Sequence, residues 1–417
     1  MDNLETAALP AAPDWWRERE LLRRVVADLM HTELCLMRHG SAGMPGLPWP
    51  ERIELDAELG IDSLERYALA SALAAALHLP PQTDLQPLLG AVTLGQWCDA
   101  LGEAIGAGSG LISFKSSGSS GVPTRSTHRL DLLWQEARFF AAQLPQARRL
   151  LYAVPSHHIY GFLFTVLLPL AYRPAPALVD LRRMLPAALR QQAEDGDVVV
   201  AYPELWAALA QAVPRWRAGA AGVTSTAPCP PALARQLADG GLRLLEVYGS
   251  SETAGVGWRS DADAPYALLP YWRHAAGGDV LQRPAVDGGL LEVLCPDRID
   301  WRDGRRFVPD GRRDHAVQVA GVNVYPAQVA ALLARHPAVR AAHVRLMRPD
   351  EGARLKAFVV PLRPGDTAAL ADQLAGWVRE RLAPPARPVA FTFGAALPVG
   401  QQGKLADWMI GAADQAP

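Results

Sequence analysis

Lysine is nearly missing from this 417-residue chain: Lys115, Lys356 and Lys404 stand against 38 arginines. A base-composition bias accounts for that, and Lys115 and Lys356 ask for nothing more. Charge of one sign is also missing. The net charge is −2, so there is no basic footprint for nucleic-acid binding. Cysteine is scarce and scattered. Cys35, Cys98, Cys229 and Cys295 form no CxxC pair, which argues against a zinc site or a disulfide framework. The first residues, MDNLETAALPAAPDWW, lack the basic and apolar stretches of a secretory signal. The longest apolar run, 161–171, is interrupted by Pro169 and falls short of the ~20 residues that cross a bilayer. A cytoplasmic protein with no membrane span is expected. Half of the residues are hydrophobic, which excludes a mainly disordered chain. The length suggests two or three domains of ~150 residues.

Three patterns follow one another. Over 15–37, apolar residues recur at helical spacing (Leu21, Leu22, Val25, Val26, Leu29) with charges between them. A second helix opens at Ser63, capped by Asp62 and stopped by Pro80 and Pro81. A third begins near Thr93, and 102–110 reads as a linker. From 111 to about 310, short apolar strands alternate with helices. Strands are expected at 111–115, 150–154, 197–201, 221–225, 244–248 and 289–295, and helices at 130–143 and 231–239. After Gly311 a smaller α+β unit follows. Its hairpin covers 317–325, its helices 327–335 and 367–382, and its strands 341–346, 355–360 and 389–393.

Chemistry gathers in short polar segments. Ser116-Ser117-Gly118-Ser119-Ser120-Gly121-Val122-Pro123 follows a predicted strand. Small residues let backbone amides crowd an anion there, and the hydroxyls add donors. The run reads as a phosphate loop or a flexible linker; no Lys-Ser/Thr follows Gly121, so it is not a Walker A loop. Pro155-Ser156-His157-His158-Ile159-Tyr160-Gly161 comes next, then Thr226-Ala227-Pro228, Tyr248-Gly249-Ser250-Ser251-Glu252-Thr253, Gly311-Arg312-Arg313-Asp314, Gly321-Val322-Asn323-Val324-Tyr325-Pro326 and Gly403-Lys404. Two adjacent histidines are not a metal site by themselves.

Taken in order, these segments resemble the adenylate-forming superfamily of acyl- and aryl-CoA ligases, peptide-synthetase adenylation domains and luciferases. The serine/glycine run is similar to [ST]SG[ST][ST]GxPK, Tyr248–Glu252 to YGxTE, Gly311–Asp314 to GRxD, and Gly403-Lys404 to the terminal GK. Asp297 stands 14 residues before Gly311, where the family keeps a ribose-binding aspartate. The resemblance implies a large α/β domain, 107–312, and a small mobile α+β C-terminal domain, 313–417. It implies ATP and Mg²⁺, with Ser116, Ser117, Gly118, Ser119, Ser120 and Gly121 around the outer phosphates. Thr124 replaces the lysine usual after the loop, and Arg125 is expected to clamp phosphate instead. Tyr248, Gly249, Ser250 and Ser251 with Ala227 would hold the adenine side, and Asp297 and Arg312 the ribose. Glu252 would hold Mg²⁺ against phosphate, since a hard cation takes carboxylate oxygen. Lys404 would reach between the acid's carboxylate and the α-phosphate. His158, Tyr160 and Gly161 would lie at the acyl pocket; Phe162 and Trp206 are either its walls or plain core. Asp314 would be the hinge of the small domain, and Gly321 would face the thiol channel.

The region before the phosphate loop is short for this family. Leu59-Gly60-Ile61-Asp62-Ser63-Leu64-Glu65 resembles the carrier-protein motif LGxDSL, which implies a helical carrier-like segment over 1–106 with phosphopantetheine on Ser63. The other reading of Asp62-Ser63 is a helix cap. The front end, the small size and the GVNVYP hairpin resemble ligases of bacterial xanthomonadin and aryl-polyene pigment clusters. That implies 3- or 4-hydroxybenzoate as the aromatic acid and an acyl carrier protein as acceptor. The alternatives are an aryl- or acyl-CoA ligase using free CoA, and a non-catalytic scaffold derived from a ligase.

Overall fold

Two of the charges on the first long helix do not face solvent. In the computed structural model, α1 (Arg19–Met37) buries Leu21, Leu22, Val25, Val26 and Met30, and with them Arg24 and Asp28. The structure describes residues 10–38, 40, 43–116, 124–275, 279–285, 289–348, 350–363, 365, 367–399 and 405–410. Three further helices follow: α2 (Ser63–Ala76), α3 (Gln86–Gly90) and α4 (Leu94–Gly106). Capping boxes open two of them. Asp62 accepts from the Glu65 amide at 2.8 Å while Glu65 accepts from the Asp62 amide at 3.3 Å. Thr93 and Gln96 repeat the arrangement at α4. Each satisfies two amides that a helix start leaves without partners.

The chain forms two compact units. One gathers the described residues of Met1–Lys115, Arg125–Cys295 and Ile299–Val308; the other gathers those of Ser116–Thr124, Pro296–Arg298 and Pro309–Pro417. The expected boundary at 106/107 therefore separates nothing. One continuous core runs from Trp15, Val25 and Leu69 to Phe162, Val198 and Val223. The carrier-like segment is corrected in this respect: helices that share a core with a sheet are part of that unit, not a tethered module.

In the large unit, β1 (Leu111–Ser116) and β2 (Thr124–Arg129) form a two-stranded sheet, followed by α5 (Leu130–Gln143). The main sheet draws on β3 (Arg149–Tyr152), β4 (Ala177–Asp180), β5 (Val198–Ala201), β6 (Ala221–Thr224), β7 (Arg243–Ser250), β8 (Ala254–Arg259) and β9 (Tyr266–Leu268). A smaller sheet holds β10 (Arg273–His274), β11 (Val280–Pro284) and β12 (Leu290–Leu294), and β13 (Asp297–Trp301) and β14 (Arg306–Arg312) return to the main one. The nine strands lie in the order β13-β14-β9-β8-β7-β6-β5-β3-β4. From β4 to β7 they run parallel. β5 shows why. Val198 and Val200 belong to one core, Val199 and Ala201 to another, so alternate residues serve two covered faces and the strand reads as an unbroken apolar run. β8 is harder to read from AGVGWR. Its glycines make room: a Cβ at Gly255 would overlap the Glu136 carboxylate, and one at Gly257 would overlap the Phe307 ring.

In the small unit, β15 (Val317–Val319) and β16 (Val322–Val324) form a hairpin. Ala320 and Gly321 turn it with φ of 50° and 73°, the type I′ geometry that suits a two-residue loop. A second sheet pairs β17 (Val339–Leu346) antiparallel to β18 (Leu355–Pro361), and β18 parallel to β19 (Pro388–Phe393). The helices Pro326–Ala334 and Thr367–Arg381 bury Val329, Leu333, Leu370 and Leu374 in the core beside it.

Candidate active site

The chain runs from β3 outward to β4, then crosses to β5 on the other side of β3. In an open parallel sheet, the carboxyl ends at such a reversal leave a crevice for a ligand. The turns after β3, β6 and β7 lie at that edge, and they contain the polar segments that the sequence singles out.

After β3, Ser156 is fully buried, and its amide and hydroxyl both donate to Asp28 Oδ2 at 2.6 Å. The next two rings, His157 and His158, lie 4.2 Å apart. Burial of the His157 ring, with His158 beside it, holds its pKa well below the ordinary histidine value, so it is a neutral imidazole at pH 7. Its two ring nitrogens are buried and have no hydrogen-bond partner among the described residues. His158 is exposed by area yet crowded by protein, and desolvation lowers its pKa against the opposing charge of Asp28. Gly161 has no alternative, because a Cβ there would overlap the Pro155 carbonyl oxygen. Tyr160 is placed differently from the expectation. It is buried, and its hydroxyl lies 2.9 Å from the carbonyls of Ala201 and Val223, so it ties β5 to β6 instead of facing the crevice. Phe162 and Trp206 are plain core.

After β6, Ser225 donates to the Val247 carbonyl at 2.8 Å, and Thr226 takes a left-handed φ of 77°. A β-branched residue rarely adopts that conformation, and such strain tends to collect at functional sites. Ala227 follows, half-buried. At the end of β7, the half-buried Tyr248 ring packs against Phe307 and Tyr266 at 5.3 and 5.6 Å. Gly249 admits no Cβ, because the Ala254 carbonyl fills the space. Ser250 Oγ accepts from the amides of Glu252 and Thr253 at 3.2 Å each. That closes a tight turn on which the Glu252 carboxylate is exposed. His128 on β2 holds the same turn: its Nε2 lies 2.7 Å from the Ser251 carbonyl. Nε2 must therefore bear the proton, and burial keeps the ring's pKa low. Motif reading missed His128, although it stands five residues after Pro123. Its position on the strand leaving the phosphate loop was the available signal.

Ser117 to Pro123 lie outside the described residues, as do Gly403 and Lys404; Ser116 closes β1. The strands at the base of the loop are held firmly. His78 Nε2 meets Ser113 Oγ, and Ser113 Oγ meets Thr127 Oγ1, each at 2.7 Å. Lys115 pairs with Glu33 of α1. Thr124 and Arg125 are exposed on β2. Ser63 is exposed at the first residue of α2, beside the Asp62 cap.

In the small unit, the Arg312 guanidinium lies 4.0 Å from Asp297 and grips Asp314 through two bonds of 2.9 and 2.7 Å. The Tyr325 hydroxyl and the Ala316 amide also donate to Asp314. The Arg312 bonds hold the Asp314 carboxyl at a pKa of about 2. Gly321 occupies the hairpin turn described above. Lys356 corrects the compositional reading: it is fully buried, 2.7 Å from Glu351, 2.9 Å from Asp407 and 2.6 Å from the Trp408 carbonyl. No group of three or more potential metal-ligating side chains occurs among the described residues. A single carboxylate such as Glu252 still fits Mg²⁺, which commonly takes one or two carboxylates and completes its shell with phosphate oxygens and water. No helix among the described residues is long and apolar enough to cross a membrane, and none of the four cysteines is in a disulfide.

Residues 328–404 match the AMP-binding enzyme C-terminal domain. The chain is 35% identical to a 4-coumarate–CoA ligase of Cereibacter sphaeroides, over 97% of this chain and 100% of that protein. It is 37% identical to a 4-coumarate–CoA ligase of Halorhodospira halophila, over 84% and 89%. Among solved structures, the amide bond synthetase McbA of Marinactinospora thermotolerans has the same fold at 19% identity, with a TM-score of 0.59 over 92% of each chain. The o-succinylbenzoate CoA synthetase of Bacillus subtilis shares it at 20% identity, with a TM-score of 0.57 over 70% of this chain and 67% of that one. With a relative 35% identical over 97% of its length, the chain belongs to the AMP-forming, adenylate-forming family of acid–thiol ligases.

Proposed function

We propose that this enzyme adenylates an aromatic carboxylic acid of the 4-hydroxycinnamate class and passes the acyl group to the thiol of CoA. The observation behind this reading is the length of the match. The alignment with the Cereibacter ligase takes in 97% of this chain and all of that protein, so the front segment aligns within a protein named as a CoA ligase, which favours CoA over a carrier as acceptor. The hydroxybenzoate and carrier-protein expectation yields to it, and Ser63 is read as the residue after a helix cap.

In this reading the first step is displacement at the α-phosphate, where positioning and charge neutralisation dominate. Ser116–Gly121 and Arg125 hold the phosphates, Tyr248 and Ala227 flank the adenine, and Asp297 and Arg312 take the ribose. Glu252 would hold Mg²⁺, which would supply charge neutralisation at the phosphates when bound. Lys404 reaches between the two anions, and His158 stands at the acyl group. The small unit then turns about Asp314 to bring Gly321 and its hairpin to the thiol step.

Pyrophosphate release with ATP, Mg²⁺ and a panel of aromatic acids tests the first half. Release fastest with hydroxycinnamates is expected, and no release with any aromatic acid overturns the reading. Supplying CoA or a phosphopantetheinylated carrier separates the acceptors. Efficient CoA thioester formation is expected, and transfer to the carrier alone would restore the carrier-protein reading.

A further inference from the structure

The polar stripe on α1 has no part in the chemistry described so far. Arg24, Asp28, His31 and Cys35 recur at three- and four-residue spacing on one face of the helix. Arg24 and Asp28 are each 1% exposed. Arg24 donates to the Thr165 carbonyl at 3.0 Å and the Thr165 hydroxyl at 2.9 Å, and its guanidinium lies 3.9 Å above the Tyr152 ring. Asp28 uses one oxygen for both donors of Ser156 and the other for Arg182 at 2.6 Å. Arg182 in turn is fixed by Asp180 at the end of β4. His31 carries its own partner on the stripe, with Nδ1 at 3.7 Å from Cys35 Sγ.

Apolar residues would stabilise the same contact at least as well, because a buried ion pair barely recovers its desolvation. What these charges supply is geometry. Asp28 holds Ser156 by both its amide and its hydroxyl, and the following residue is His157. A turn fixed at that residue has little freedom to move the two imidazoles that follow it. We propose that Asp28 is a positioning residue for the acid-binding part of the active site, acting through Ser156 on the His157–His158 turn, and that α1 is thereby part of the catalytic scaffold. The assignment of the turn to the acid rests on the function proposed above.

The experiment compares the full-length wild type with Asp28→Asn and Ser156→Ala. The first variant removes the charge that binds Arg182 and keeps the side-chain shape. The second removes only the hydroxyl bond and guards against a failure of the first to fold. Two readouts separate the claims. Labelling of the His157–His158 peptide by diethyl pyrocarbonate, followed by mass spectrometry, needs no turnover. It should accelerate several-fold in the variants, while His336 in the small unit labels at the wild-type rate. In pyrophosphate release, the acid KM should rise about tenfold in Asp28→Asn and less in Ser156→Ala, the scale of losing a hydrogen bond to a charged group, with the ATP KM within about twofold. Unchanged labelling of the histidine peptide overturns the positioning role whatever the activity. Equal rises in the acid and ATP KM overturn its link to the acid. Absence of pyrophosphate release in the wild type strikes the proposed function instead and leaves the labelling result to decide the positioning of the turn.

Discussion

Each unit buries an ion cluster, and the two are built in opposite ways. In the large unit, Asp28 comes from a helix 128 residues before its partner Ser156 and 154 before Arg182. It joins three distant stretches of chain at one point. In the small unit, Lys356 meets Glu351, only five residues away, and the segment Asp407-Trp408 that closely follows Lys404. The first cluster fixes the turn after β3; the second fixes a segment that closely follows Lys404, the residue proposed to react. Fixity suits a pocket. If Lys404 acts in one half-reaction as proposed, its segment needs an anchor within its own unit.

The largest expected effect comes from breaking the local cluster. Lys356→Met removes the cation between two carboxylates and leaves Glu351 and Asp407 facing each other. The small unit should melt on the order of 10 °C lower, and adenylation should fall because Asp407-Trp408 is released. Hydrogen exchange followed by mass spectrometry should show lost protection in β17 and β18 with β5 and β6 unchanged. Equal loss in both units would contradict the separation of the clusters.

A middle effect lies at Asp314. Its folded pKa of about 2 lies below the ordinary value of 3.8. Its stabilising contribution is therefore present in full above pH 4 and is lost as pH falls from about 4 towards 2. Melting of the small unit should fall over that window in the wild type and flatten in Asp314→Asn. The same variant should slow thioester formation more than adenylation. A pH profile identical in both proteins would remove Asp314 from the account.

Tyr160→Phe should do least. It removes the hydroxyl between the Ala201 and Val223 carbonyls and should cost about 1 kcal/mol, read by urea denaturation, with the acid KM unchanged. An altered acid preference would move Tyr160 back to the pocket.

Strands β3, β5, β6 and β7 of the parallel sheet were legible because each is a short apolar run between breakers, whereas β4 (Ala177–Asp180) was not among the expected strands; α5 matches its expected span of 130–143 residue for residue. The motif loops were legible because their chemistry demands particular small and charged residues close together in sequence. The clusters were not. On α1, Arg24 and Asp28 look like the solvated face of an amphipathic helix, and only partners more than 120 residues away reveal them as buried. Lys356 looks like composition for the opposite reason: a lone cation between apolar residues gives no hint that Glu351 and Asp407 converge on it. His128 was missed because a backbone carbonyl, its partner, leaves no trace in sequence. β8 was missed because its glycines lower strand propensity while making room for Glu136 and Phe307.

The Asp28 cluster also bears on how the protein is made. When α1 leaves the ribosome, its buried charges have only each other to pair with, four residues apart on the helix, and the first partner of Asp28 outside α1 is 128 residues behind. Until β3 and the turn after it emerge, Arg24 and Asp28 stay in water and keep that face of the helix soluble. The same charges that cost desolvation in the finished protein thus discourage premature collapse of α1. The large unit should assemble late, around long-range contacts, as chains of high contact order do.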